Sequence, residues 1–81
     1  PFEYRLAGNL AIHDWAEVFG IDLAETRLAT VGGLVTALLG KIPKSGDVTY
    51  LKNLKFTIEK MQKHRIETLI LTLEPFQKDD Q

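Results

Sequence analysis

The sequence predicts an α+β domain of element order β-α-α-β-β-β: a small, mostly antiparallel sheet with two short helices packed on it. Three observations point there. Apolar residues recur twice at helical spacing before residue 43, and at a two-residue spacing after residue 47. The helical stretches precede three consecutive extended ones, an order that favours an antiparallel sheet over alternating βαβ units. Glycine, proline or polar turn residues stand wherever the period changes.

Residues 2–6 alternate, with Phe2, Tyr4 and Leu6 on one side and Glu3 and Arg5 on the other. That is the pattern of a half-buried strand. Gly8-Asn9 ends it as a turn. Residues 12–19, IHDWAEVF, set Ile12, Trp15, Ala16 and Phe19 on one helical stripe. Ala11 is a poor cap, which leaves Asn9 to do that work a little early. Gly20 is a natural helix stop. Residues 21–29 read as a connector. Thr30 is a good N-cap for a second helix. In it Val31, Leu34, Val35, Leu38, Leu39 and Ile42 share one stripe, and Gly40 and Pro43 end it.

Residues 44–47, KSGD, form a turn. Val48 and Tyr50 make a short strand, and Leu54, Phe56 and Ile58 alternate with Lys55, Thr57 and Glu59 in the next. A turn at Gln62-Lys63-His64 leads to a last strand carrying Ile66, Leu69, Leu71 and Leu73. The step from 66 to 69 breaks strict alternation and predicts a bulge near Glu67-Thr68. Ile70 points away from Leu69 and Leu71 and is expected to be exposed. Pro75 ends the strand, and residues 75–81 form a polar tail.

With 81 residues, the chain is expected to be one domain. A chain of that size buries only about 60–65% of its unfolded surface. One small core fits, and a large internal cavity does not. The chain has no run of about 18 or more apolar residues, the length a membrane-spanning helix needs. Its start, Pro1-Phe2-Glu3-Tyr4, lacks the basic and apolar regions of a signal peptide. A chain that begins with Pro1 is expected to be excised from something longer. Cysteine is absent, which excludes disulfides, thiolate zinc sites and thiol catalysis.

The net charge of −1 hides an asymmetry. Lys41, Lys44, Lys52, Lys55, Lys60, Lys63 and Arg65 crowd the middle of the chain, with acidic excess on both sides. Such a block suits an anionic partner or a membrane surface. Lysines that solvate a strand face and protect sheet edges give the same pattern.

The stretch TVGGLVTALLGKIPKSGD, residues 30–47, raises the question of a phosphate loop. A P-loop needs G-x-x-x-x-G-K-[ST] between a strand and a helix. Here Gly33 to Gly40 is too wide, and Ile42 follows Lys41. Gly40-Lys41 also closes a helix, the end that repels phosphate. Gly32 and Gly33 lie instead in the first helical turn. There they could hold a small anion or nucleotide together with Thr30, or they could allow close backbone approach. His13, Asp14 and Glu17 have no metal-ligand spacing and read as a solvated helix face. His64 reads as a surface residue. Ser45, the only serine, lacks a nucleophile context. No catalytic or metal-ligating set is therefore expected. The aromatics do not alternate with basic residues as a nucleic-acid platform would, and no nucleic-acid partner is expected.

Over about Tyr4 to Leu73 the sequence resembles the transporter-associated domain of the CorC/HlyC group, which includes CorC-like magnesium and cobalt efflux proteins and hemolysin-like proteins. RLAGNLAIHDWAEVFGI is similar to the family's opening strand, turn and helix. ATVGGLVTALLGKIPKSGDV is similar to its most typical segment, and KFTIEKMQKHRIETLIL to its closing hairpin. Thr30, Gly32, Gly33, Pro43, Gly46, Asp47, Arg65 and Ile66 carry the match by their order and spacing. Two departures stand out. Gln62-Lys63-His64 replaces an Asp-Gly turn, and Lys52-Asn53 replaces a glycine-containing one.

The resemblance implies a fold similar to one half of an FAD-binding-type domain, without a flavin motif or other cofactor. It implies a non-catalytic regulatory or interaction domain of a bacterial ion-transport protein. A CBS domain pair and a transmembrane domain would precede it in the same chain, and it would lie on the cytoplasmic side of the inner membrane. Self-association and contact with an anionic membrane surface are further expected partnerships. The alternative is a domain that senses a small anion or nucleotide at the Thr30–Gly33 helix start.

Overall fold

The computed structural model describes residues 3–23 and 26–74. The elements are β1 (Glu3–Ala7), α1 (Ile12–Phe19), α2 (Val31–Leu39), β2 (Val48–Leu51), β3 (Leu54–Gln62) and β4 (Arg65–Leu73). The strands form one sheet in the order β1-β4-β3-β2, with every pairing antiparallel. The chain thus starts at one edge, passes through both helices and re-enters at the other edge. The helices cover one face of the sheet. Ile12, Trp15 and Ala16 of α1 and Val31, Leu34 and Val35 of α2 share a core with Leu54, Phe56, Ile58, Ile66, Leu69 and Leu71.

Each helix ends as its sequence dictates. Gly20 and Gly40 both take φ 69° at the C-caps, a conformation with little cost only for glycine. The Thr30 hydroxyl accepts the Gly33 N–H at 3.0 Å. α1 has no such cap: its N-cap is Ala11, without a side-chain bond, and Asn9 does not serve. The backbone supplies the contact instead, with Ile12 N–H donating to Ala29 and Ala11 bridging to Thr30.

The apolar pattern overran the second helix. Leu39 is the last helical residue, so Ile42, placed on the stripe by spacing, is 78% exposed. Tyr4 is 42% exposed rather than buried, because β1 is an edge strand. Its ring still meets Phe19 edge-on, and Trp15 links Phe19 to Phe56. Phe2, Pro75 and the tail lie outside the described residues.

The bulge on β4 is present, and it has a companion. Ile58 pairs with Leu69, Lys60 with Thr68 and Met61 with Ile66. Glu59 is therefore the extra residue on β3 and Glu67 the extra residue on β4, and the two shifts cancel. Ile70 is half-buried rather than exposed, since Arg5 and Thr57 flank it across the strands.

Both hairpin loops hold two residues, and the first of each is a lysine at positive φ, Lys52 at 58° and Lys63 at 59°. These are the two places where the family resemblance leads one to expect glycine.

Candidate functional site

An open groove of about 660 Å³ lies where the start of α2 faces the β1–α1 turn and the β3–β4 hairpin. Thr30, Gly32, Gly33 and Thr36 form one wall, and His64, Arg65 and Glu67 stand on the other. Beneath it three stretches of backbone are stacked. Gly8 N–H donates to the Glu67 carbonyl at 2.8 Å, and Gly32 N–H donates to the Gly8 carbonyl at 2.9 Å. A Cβ on Gly8 would overlap the Ile66 carbonyl oxygen, and one on Gly32 would come 2.8 Å from the Gly8 carbonyl oxygen. A side chain at Gly8 would push the β1–α1 turn off β4, and one at Gly32 would push α2 off that turn.

Gly33 differs. A Cβ there would meet only the Thr30 hydroxyl at 3.3 Å and a Leu28 methyl at 3.9 Å. The two neighbouring glycines thus have unequal roles, and only Gly32 is required by close approach.

The helix start has its donors engaged. Val31 N–H donates to Leu10, Gly32 N–H to Gly8, Gly33 N–H to the Thr30 hydroxyl and Leu34 N–H to the Thr30 carbonyl. An anion at Thr30, Gly32 and Gly33 would have to displace these bonds.

Asp47 organises the neighbouring turn. Its carboxylate accepts the Lys44 N–H at 2.9 Å and lies 3.7 Å from the Lys41 ammonium. Gly46, at φ 92°, donates to the Ile58 carbonyl, and the Asp47 carbonyl accepts from Ile58. Pro43 is buried beside this turn. The Pro-x-x-Gly-Asp segment therefore fastens the end of the α2 connector to β3 just before its bulge.

The other sequence-singled residues do not converge. His13, Asp14 and Glu17 are exposed on α1, and Ser45 is exposed in its turn. Among the described residues no three His, Asp or Glu side chains gather as a metal site would. The basic block is dispersed: Lys41 faces Asp47, Lys52 and Lys63 sit in hairpin loops at opposite ends of β3, and Arg65 lines the groove.

Two features escaped sequence reasoning. Gly8 reads locally as a turn residue, and only the Ile66 carbonyl reveals its packing role. Arg5 reaches across β4 to Glu59 in a bidentate pair, Nε to Oε1 at 3.0 Å and Nη2 to Oε2 at 2.9 Å. That pair holds the Glu59 carboxyl below its ordinary pKa. No local signal links residues 54 positions apart.

Residues 2–75 match the family model described as the transporter associated domain, CorC_HlyC. The chain is 34% identical over 76 residues to the UPF0053 protein sll0260 of Synechocystis sp.. The match takes in 89% of the chain and only 17% of that relative's length. Two solved structures are similar throughout. One is a Mg2+ and Co2+ transporter (CorC) associated region from Neisseria meningitidis, with a TM-score of 0.79, 30% identity and 88% of each chain covered. The other is a hemolysin domain from Enterococcus faecalis, with a TM-score of 0.78, 31% identity and 90% of this chain and 89% of that one covered.

Proposed function

The chain belongs to the CorC_HlyC transporter-associated domain family, and from that premise we propose that it is a non-catalytic regulatory domain of a CBS-domain-containing ion-transport protein. The observation that carries this reading is the family match over residues 2–75. The name of the Neisseria relative supports magnesium or cobalt as the transported ion. The chain would act as one module of a longer protein, after a CBS pair and a transmembrane domain, on the cytoplasmic side of the bacterial inner membrane. Its work would be docking: the sheet or the groove packs on the CBS pair and shifts the transporter between states of different activity. Regulation of this kind requires a contact that differs between those states.

The test is removal of this domain from the full-length protein, with Mg2+ and Co2+ efflux followed in membrane vesicles. Transport that persists with an altered dependence on nucleotide or ion is expected. Efflux identical with and without the domain under all conditions contradicts the proposal. Contact with an anionic membrane would draw on the exposed lysines, with Lys52, Lys55 and Lys60 reversed to Glu as the comparison. That triple variant is expected to fold, and failure of the wild-type chain to bind anionic liposomes removes membrane contact from the proposal.

A second reading, a small anion or nucleotide in the groove, is favoured by Arg65 lining the same groove as Thr30, Gly32 and Gly33. Titration with ATP and with inorganic phosphate, followed at the Gly32, Gly33 and Arg65 resonances, tests it. No shift at millimolar ligand eliminates it.

A further inference from the structure

The two edges of the sheet are built differently. β1, EYRLA, carries Glu3 and Arg5, and charge on an edge strand discourages pairing with another chain. β2, VTYL, carries no charge and no proline, and its pairing with β3 has no register shift. Leu51 and Leu54 flank a two-residue loop. In such a hairpin the flanking pair exchanges both backbone bonds. Thr49 and Leu51 therefore turn their N–H and C=O groups to β3, and Val48 and Tyr50 turn theirs to the free edge.

The side chains at that edge match its backbone. Val48 and Tyr50 are 40% and 55% exposed, and they lie on the face without helices. Leu38 and Ile42, at the end of α2 and in the connector to β2, are exposed as well. Among the described residues these four stand with Tyr4 and Val18 as the exposed large apolar residues.

We propose that β2 is a homodimerisation edge, on which a second copy of this chain adds its own β2 antiparallel and extends the sheet across a two-fold axis. Such an axis keeps the uncovered faces of both copies on one side, so residues of equal parity must oppose each other. Lys52, at φ 58°, ends the extended run on one side. Asp47 continues it on the other, since its carbonyl accepts from Ile58. The register therefore centres on Thr49 facing Thr49 of the partner subunit. Val48 then faces Tyr50 of the partner subunit, and Tyr50 faces Val48 of the partner subunit. These are the residues whose backbone groups point outward, so both pairs exchange two bonds each. Each pair also sets an aromatic ring against a β-branched side chain, a favourable cross-strand combination. No charged side chain lies in the paired segment between Val48 and Tyr50. The strand is thus its own complement in hydrogen bonding and in side-chain chemistry. The contact is short, which places it among weak, transient interfaces.

This inference stands apart from the proposed transport role. It is tested on the 81-residue chain by sedimentation equilibrium and an amide-shift dilution series from micromolar to millimolar concentration. Solved relatives that are little longer than this domain support its folding alone. The mass is expected to rise from 9.1 kDa toward twice that value, with shifts concentrated at Val48 and Tyr50. Tyr50→Lys and Val48→Lys are expected to stay monomeric, while Glu3→Lys on the other edge still dimerises. A mass that never rises, or a dimer indifferent to both β2 variants, overturns the proposal. If either variant fails to fold, the wild-type shift map decides: shifts at β2 support it, and shifts confined to another surface overturn it.

Discussion

Leu71 and Ile70 are neighbours in β4, and they stand on opposite faces of the sheet. Leu71 faces the helices and is fully buried, paired across the strands with Tyr4 and Phe56. Ile70 faces the uncovered side between Arg5 and Thr57 and is half-buried. The same contrast runs through the sheet. One face is Leu, Ile and Phe under two helices. The other is mostly polar, with Thr57, Thr72, Lys55 and Tyr50 beside Ile70 and Val48 and the Arg5–Glu59 ion pair spanning it. Stability is concentrated on the first face.

The sharpest way to break this comparison is truncation on both sides of β4. Leu71→Ala is expected to cost about 2–5 kcal/mol, the range for a buried leucine. Ile70→Ala should cost about 1 kcal/mol, since less area leaves water. Equal losses in urea melts would mean that the uncovered face is part of the core.

A smaller effect concerns the loops, which belong to neither face. A non-glycine residue in the left-handed region pays roughly 1–2 kcal/mol, and glycine returns part of that as unfolded-chain entropy. Lys63→Gly is therefore expected to stabilise by about 0.5 kcal/mol, read as a raised urea midpoint at unchanged slope. A lower midpoint would mean that the Lys63 side chain makes a stabilising contact.

The smallest effect is the ion pair. The Glu59 pKa is lowered in the folded state, first of all by the hydrogen bonds from Arg5. Its contribution is therefore present above the ordinary value of 4.5 and is lost as the pH falls through the lowered folded value. Arg5 is 67% exposed and Glu59 31%, so screening keeps the contribution small. Glu59→Gln should sit slightly below wild type in Tm at neutral pH, and the gap should close in acid. A gap that widens in acid would reverse the assigned sign.

Much of the covered face was legible in the sequence because burial imposes a period. Ile12, Trp15, Ala16 and Phe19 gave the first helix, and Thr30 and Gly40 marked the ends of the second. Ile42 was misplaced because the apolar spacing continues past Leu39, while the backbone turns at Gly40. The step from Ile66 to Leu69 marked one bulge. An equal step from Ile58 to Met61 marks its companion at Glu59, and the same rule applies there. The groove was legible only in part. Thr30, Gly32 and Gly33 do line it, but Gly8, His64 and Arg65 join them through tertiary contacts that no local pattern encodes.

The central claim is that the helix-start glycine serves packing, with Gly32 seated on the Gly8 carbonyl and Gly33 nearly free. The most direct measurement is the unfolding free energy of Gly32→Ala beside Gly33→Ala. Overpacking against backbone should cost Gly32→Ala about 1–3 kcal/mol, whereas Gly33→Ala should stay within about 0.5 kcal/mol of wild type, the usual range away from such features. Equal losses at both positions, or a Gly32→Ala protein as stable as wild type, would contradict the claim.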